Sequence, residues 1–478
     1  MERSTGVINT SCLGVCNSLD IIASSIPPVT DDVVVEILSR LPAKSLIRFK
    51  SVCKRWLSLI KQDQYLIDSH FNHSKSRPNL LYIDPLQEKG LLGHPSYATC
   101  FWASETLCQS IACAEIVQGS GCEDEEVEAI VSKVRITNDK WFRYDKVLAP
   151  VNGLVCFVDT KTHAVKVYNA STREETPWVK STLLAEENYK LKKSEGSKVE
   201  IKARPVYHFG YDPQKKEYKV FCLWRLSATP QHHRWRSLEC PDYARWEVLT
   251  VGRDTKWRKI NMVPDENNKT IINEVLSPYG SGKQALYADG TLYWSNEARS
   301  NAPQDDPDVI VALDVGSEKY RVIPIPNFIL DEPREKYSRH PIDMLMLGGR
   351  VALLFGMGPF FVKLWMLDDG INNKLENCQG NESNWSAETI HVPFYCHSGI
   401  CGFGVAGSVE MIVFECSSYK NHEGDNAFFV SLYAYDFRKK SCKKIEVDGE
   451  SSFILHSERS LITSFTENLY PICSHLEI

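Results

Sequence analysis

Beyond about residue 76 the chain is written in short apolar runs separated by Gly, Asp and Asn: NGLVCFVD, AVKVYN, EYKVFCLW, RWEVLTV, GTLYW, VIVALD, VALLF, VKLWML, EMIVFE and SLYAYD. Runs of this length, rich in Val, Tyr, Phe and Trp and bounded by turn residues, read as strands. No long helix is expected among them, so most of the chain must fold as an all-β domain.

The runs also repeat loosely. A turn glycine opens one strand and a strand ending in Asp or Asn opens the next turn: Gly153 precedes Asn169, Gly290 precedes Asp314, Gly349 precedes Asp368, and Gly407 precedes Asp436. The glycines at 290, 349 and 407 are 59 and 58 residues apart, and the interval from 153 to 290 leaves room for about two more units. Four-stranded units of that size predict the blades of a β-propeller, although any meander of hairpins satisfies the same pattern. Polar turns recur in YNASTREET, YDPQKKEYKV, LDVGSEKYRV and YDFRKKSCKKI. Two charged stretches, GCEDEEVE near residue 124 and YKLKKSEGSKVEIK near residue 195, read as solvated loops between strands.

The N-terminal part differs. Residues 1–25 are polar, lack an apolar face at helical spacing and read as a flexible leader. From there Val33, Val34, Ile37, Leu38 and Leu41 recur at three- and four-residue spacing, with Asp31 and Asp32 where a helix start favours acids and Pro42 as the stop. Past Pro42, Leu46, Phe49, Val52, Cys53, Trp56 and Ile60 again fit one helical face, with Lys44, Arg48, Lys50, Lys54 and Arg55 falling largely elsewhere. Two or three short helices therefore form a small unit over 26–75, one that gains stability by packing on a partner or on the next domain.

Charge narrows what the basic segment LPAKSLIRFKSVCKRW can serve. Lys and Arg total 55 against 61 Asp and Glu, a net charge of −6, so no global field favours a polyanion. The apolar run VALLFGMGPFFV, residues 351–362, is too short to span a bilayer and holds Gly356, Gly358 and Pro359. Sixteen cysteines are scattered without a C-x-x-C pair, which fits reduced thiols in the cytosol or nucleus.

The segment DDVVVEILSRLPAKSLIRFKSVCKRWLSLI, residues 31–60, resembles an F-box, the adaptor-binding module of cullin-based ubiquitin ligases. Downstream, FGYDPQKKEYKV, WRKI, DGTLYW and LDVGSEKYRVIPIP resemble the C-terminal F-box-associated domain of plant F-box proteins, a kelch- or propeller-like domain. The resemblance implies a multidomain α+β chain: an all-α F-box module over 26–75 followed by an all-β domain over 76–478. It implies that Ile37, Leu38, Leu41, Pro42, Leu46, Val52, Cys53 and Trp56 contact a Skp-type adaptor or support that contact. Relatives often carry Leu-Pro shortly before the helix Asp, whereas this chain has Val29 and Thr30; Thr30 is expected to cap the helix while the adaptor contact at its entrance is weakened. Phe49 and Trp56 fit core filling as well as direct contact, and Lys44, Arg48 and Lys54 fit a solvated rim.

Catalytic signals are thin. SPYGSGKQ, residues 277–284, lacks the first Gly and the final Ser or Thr of a phosphate loop. His391, Cys396, His397 and Cys401 crowd eleven residues without paired zinc spacing, and the adjacent Cys396 and His397 point to opposite sides of a strand. His232 and His233 read as surface, Asp305, Asp306 and Asp308 lack calcium-loop spacing, and no Gly-x-Ser-x-Gly elbow occurs. The expectation is a non-enzymatic substrate receptor in the cytoplasm or nucleus, without metal or cofactor. Its partners would be a Skp-type adaptor and through it a cullin scaffold, plus a target protein, with neither nucleic acid nor membrane. A basic helical module on nucleic acid beside a β scaffold, or a propeller enzyme, are the rival readings.

Overall fold

The computed structural model describes residues 30–77, 79–86, 107–117, 127–134, 144–195, 199–230, 243–264, 285–296, 309–331, 343–358, 360–367, 384–394, 401–404, 411–422, 425–447, 453–454 and 461–472. The chain divides into two compact units, Met1–His73 and Ser74–Ile478.

The first unit begins with α1 (Asp31–Ser39), on which Val35 and Leu38 are buried. Thr30 does occupy the cap position, in extended backbone, but its hydroxyl makes no capping bond; its carbonyl accepts the Val34 N–H instead. The helix stops before Pro42, as expected of a residue that disfavours helical backbone in its predecessor. Pro42 then caps α2 (Ala43–Phe49), whose Ala43 and Leu46 are buried. The apolar series from Leu46 to Ile60 does not run along one helix: a turn at 50–53 separates α2 from α3 (Lys54–Gln62) and leaves Val52 and Cys53 exposed. A fourth helix follows, α4 (Gln64–Lys75), its first turn capped by the Asp63 carboxylate accepting the Leu66 N–H at 2.8 Å.

The second unit holds β1 (Asn79–Leu86), β2 (Leu107–Val117) and β3 (Val127–Val134), then β4 (Lys146–Val151), β5 (Leu154–Asp159), β6 (Ala164–Asn169) and β7 (Val179–Lys180). Helix α5 (Leu183–Glu195) precedes β8 (Val199–Asp212), β9 (Glu217–Pro230), β10 (Tyr243–Thr250) and β11 (Arg258–Ile260). Next come β12 (Val263–Pro264), β13 (Leu286–Ala288), β14 (Thr291–Asn296), β15 (Val309–Asp314), β16 (Lys319–Pro324) and the short α6 (Asn327–Leu330). β17 (Asp343–Leu347), β18 (Arg350–Gly358), β19 (Phe361–Leu367) and β20 (Trp385–His391) form one more sheet. The chain ends through β21 (Cys401–Gly404), β22 (Met411–His422), β23 (Asp425–Asp436), β24 (Ser441–Val447), β25 (Phe453–Ile454) and β26 (Leu461–Phe465). All ten apolar runs of the sequence lie on these strands.

The strands make five sheets: β4 to β7, β8 to β11, β12 to β16, β17 to β20, and a nine-stranded sheet. In the last, the antiparallel set β21 to β24 joins β3, β2, β1 and β26 through a parallel pairing of β24 with β3. The inner strands touch in succession, β26 to β4, β4 to β8, β8 to β14, β13 to β17, β17 to β21 and β21 back to β26, which closes the ring of a β-propeller. The nine-stranded sheet supplies two stretches of that ring. Its closure is the antiparallel pairing of β26, from the end of the chain, with β1.

Because every sheet is covered on both faces, its middle strands are apolar on both sides, unlike the alternating strands of a half-exposed sheet. On β5, Leu154, Cys156 and Val158 pack toward β8 to β11, while Val155 and Phe157 join Leu81, Ile83 and Phe465 on the other side. β9 repeats this with Val220, Cys222 and Trp224 on one face and Phe221 and Leu223 on the other. Each such side chain contributes about 1.5–3 kcal/mol through burial.

Two turn devices recur. Asn152-Gly153, Asp289-Gly290 and Gly348-Gly349 all carry positive φ, the twist that a two-residue hairpin demands. At Asp159, Asn169, Asp212, Asp314 and Asp436 the side-chain Oδ1 accepts backbone N–H groups two or three residues on. The residue four positions on, His163, Arg173, Lys216, Glu318 or Lys440, then takes a left-handed φ between 50° and 65°. The expected succession from Gly153 to Asn169 and from Gly290 to Asp314 is therefore a succession of these two turns; Asp368 and Gly407 lie outside the described residues.

One expectation fails. The stretch up to residue 195 is not a loop but α5, and VEIK, from Val199, belongs to β8. The Thr182 hydroxyl bonds the Glu186 carboxylate at 2.7 Å, Leu183 is fully buried, and strong helix formers carry the remainder. With so few apolar positions, the helical period is too weak to read in the sequence. Of GCEDEEVE, only Val127 and Glu128 are described, and both start β3.

Polar clasps join the sheets. Lys219, 2% exposed, donates from Nζ to the carbonyls of Val315 and Gly316 and to Glu318 Oε1 at 2.8, 3.3 and 2.9 Å, and Arg258 bonds the same Glu318. Near the chain end, Asn468 Nδ2 donates to the Asn152 carbonyl at 2.6 Å and to the Tyr218 hydroxyl at 3.0 Å. Asn169 Nδ2 in turn donates to the carbonyls of Asn468 and Tyr470.

Candidate functional site

The four helices sort the residues singled out in the sequence by exposure. Leu38 and Leu46 are core, 2% and 0% exposed. Leu41 and Trp56 are half-buried, and Phe49 meets Trp56 edge to face at 5.2 Å, which assigns that pair to packing within the module. Ile37, Pro42, Val52 and Cys53 are exposed, Ile37 at 54% and Val52 at 59%. Val33, one turn before Ile37 on the same face of α1, is 49% exposed, and Tyr65 on α4 is 67% exposed. Val33 was read from the sequence only as part of the helix's apolar series, through its four-residue spacing from Ile37, and Tyr65 was not read at all.

The module thus presents apolar side chains that its own core does not take up. Their surroundings are basic: Lys44, Arg48, Lys54 and Arg55 are exposed, as a solvated rim requires. On α1, Arg40 bonds Glu36 one turn earlier, and this guanidinium holds the Glu36 carboxyl below the usual range. At the start of α3, Cys53 Sγ accepts the Trp56 N–H at 3.5 Å, so the exposed thiol doubles as a weak helix cap.

In the propeller, the titratable groups most perturbed by the fold are enclosed between strands. Burial pushes the Glu247 carboxyl up, while its bonds from Ser181 Oγ at 2.6 Å and Trp224 Nε1 at 2.9 Å tie β10 to the segment before α5. His208 lies against Trp294, centroids 4.7 Å apart and nearly parallel, with Trp246 at 6.4 Å, and burial pushes its imidazole down to about 3. Such groups tie neighbouring elements of the propeller together.

Among the described residues no three His, Cys, Asp or Glu side chains gather as a metal site would require. His391 ends β20 against Phe361 at 5.2 Å, and Cys401 starts β21; Cys396 and His397 lie outside the described residues, as do 277–284, His232, His233, Asp305, Asp306 and Asp308. No described helix is long and apolar enough to cross a membrane.

Comparison with known proteins bears on this arrangement of four helices ahead of a ring of sheets. Residues 29–68 match the F-box domain, and residues 113–469 match the F-box associated beta propeller domain. The chain belongs to the F-box-associated β-propeller family. The F-box protein At4g19940 of Arabidopsis thaliana is 26% identical over 440 residues, covering 89% of this chain and 87% of the relative. The F-box/kelch-repeat protein At4g19930 of the same plant is 25% identical, covering 88% and 85%. An F-box joined to a propeller is the organisation of a substrate-receptor type protein, and the family motifs acquire physical roles here. In FGYDPQKKEYKV, Asp212 caps the turn, Lys216 takes its left-handed position, Tyr218 meets Asn468 and Lys219 clasps the next sheet.

Proposed function

We propose that this F-box propeller protein is the substrate-recognition subunit of a cullin-type ubiquitin ligase. The module over 26–75 docks on a Skp-type adaptor and through it on a cullin scaffold, while the β domain over 76–478 holds the target protein. The observation that carries the reading is the exposure of Ile37, Pro42, Val52 and Cys53 inside the segment that matches the F-box. In this reading those four side chains enter the adaptor groove, with Val33 beside Ile37. Leu38, Leu41, Leu46 and Trp56 support them from within. The basic rim steers association without specifying it.

The subunit performs no chemistry of its own and needs neither metal nor cofactor. It raises the rate of ubiquitin transfer by holding target lysines near the charged carrier, which makes the encounter effectively intramolecular. It acts in the cytoplasm or nucleus, engaging neither membrane nor nucleic acid, in keeping with its net charge of −6.

Co-purification of the full chain with a Skp-type adaptor tests the reading. Ile37→Asp and Val52→Asp should each abolish capture, because a carboxylate would be desolvated in an apolar groove at a cost of several kcal/mol. Both positions are more than half exposed, so the melting temperature should not move. Capture of both variants at the natural level, or no capture of the natural chain by any such adaptor, would sink the proposal.

A further inference from the structure

We propose that His70, which lies beyond the stretch matching the F-box, is a positioning residue for the adaptor contact. Its Nε2 lies 3.1 Å from the Leu41 carbonyl oxygen. A carbonyl can only accept, so Nε2 carries the proton and the bond fixes the ring's orientation. The imidazole is fully buried. This part of the inference is independent of function; its bearing on the adaptor rests on the receptor reading above.

The bond matters because of where it lands. Only Arg40, Leu41 and Pro42 connect α1 to α2, and the proline ring fixes one of the few soft dihedrals in that link. The N–H groups of Ser45 and Leu46 both turn back to the Pro42 carbonyl, so the first turn of α2 is anchored one residue past Leu41. The Leu41 carbonyl is bonded instead by a side chain of α4, 29 residues further along the chain. Holding it sets the angle between α1 and α2, and with it the relative placement of Ile37 at the end of one helix and Pro42 at the start of the other. Both are exposed members of the proposed contact. A link already in its bound shape spares the ordering cost on docking. On α4 itself, Leu66, Ile67 and Phe71 are buried beside His70, so the helix keeps apolar anchors when the imidazole is changed.

The experiment uses the full chain in three forms: natural, His70→Leu, which fills space without donating, and His70→Gln, whose amide can donate to the same carbonyl. Affinity for a purified Skp-type adaptor is measured by titration, and hydrogen exchange is followed over residues 40–46 and, for comparison, over α3. The leucine form should bind roughly tenfold more weakly, the equivalent of about 1.4 kcal/mol. It should exchange faster at 40–46 with α3 unchanged, and the glutamine form should recover a substantial part of both. Natural affinity and natural exchange in the leucine form would overturn the proposal. So would equal losses in both variants with faster exchange through all four helices, the signature of plain core filling. A natural chain that binds no adaptor refutes the receptor reading instead, and the exchange arm then still decides whether His70 holds the loop.

Discussion

Replacing Lys219 with Met isolates the clasp between the sheet of β8 to β11 and the turn from β15 to β16. Methionine keeps most of the apolar volume but removes a charge that donates at 2.8, 3.3 and 2.9 Å to Val315 O, Gly316 O and Glu318 Oε1. The lysine side chain is 3% exposed and that of Glu318 18%, so water cannot replace the lost donor fully. Removing one partner of a buried pair costs about 3–5 kcal/mol. Arg258 stays bonded to Glu318, which places this change at the lower end, about 3 kcal/mol. A unit of roughly 400 residues unfolds with an entropy near 0.85 kcal/mol/K, so the melting temperature should fall by about 3–4 °C. Scanning calorimetry of the natural chain, Lys219→Met, Glu318→Gln and the double variant gives the coupling directly, expected at about 1–2 kcal/mol. Acid adds a second signature. Burial pulls the Glu318 carboxyl upward, but the bonds from Arg258 and Lys219 outweigh it and hold the group below its usual 4.5. The contribution of the Lys219–Glu318 pair is thus complete at neutral pH and lost as pH falls through the lowered folded-state value, so the gap between the natural and Met forms should narrow in acid, leaving the part carried by the two carbonyl bonds. A melting temperature within 1 °C of natural, or strictly additive losses in the double variant, would refute the clasp.

Two further perturbations probe the ring. Gly153→Ala places a Cβ 2.3 Å from the Thr466 carbonyl oxygen at a φ of +81°, whereas at Gly349 the nearest atom is 3.5 Å from the same construction at +82°. Alanine at 153 should therefore cost more than about 2 kcal/mol and expose the C-terminal segment to protease, and alanine at 349 only about 1 kcal/mol from backbone strain; equal losses would count against closure by that segment. His208→Phe should flatten the acid limb of stability: the imidazole is held neutral down to about pH 3 when folded against 6.5 ordinarily, so the unfolded chain binds its proton first and stability drains away as pH falls below 6.5. Denaturant midpoints at pH 7 and pH 5 should differ less in the phenylalanine form than in the natural chain, and an identical difference would remove His208 as the cause.

What could be read from the chain alone was whatever is encoded within about a dozen consecutive residues. Apolar runs, Asn-Gly and Asp-Gly pairs and the Asp or Asn that closes a strand carry their backbone preference locally, so strands, turns and the blade-sized repeat were all visible. Helix α1 and the apolar spacing of α2 and α3 were visible for the same reason, whereas the break between those two and the whole of α4 were not read. The tertiary structure decided matters that depend on what lies across a contact. Ile37 and Leu38 are adjacent and equally apolar, yet one is exposed and the other core, because only the packing of neighbouring helices selects the buried face. Helix α5 escaped notice since one buried turn anchors it and charge fills the rest. His70, Lys219 and Asn468 look like ordinary polar residues in sequence. Their roles come from carbonyls and side chains reached over separations of 29, 96 and 316 residues, and no local pattern can specify a partner at that distance.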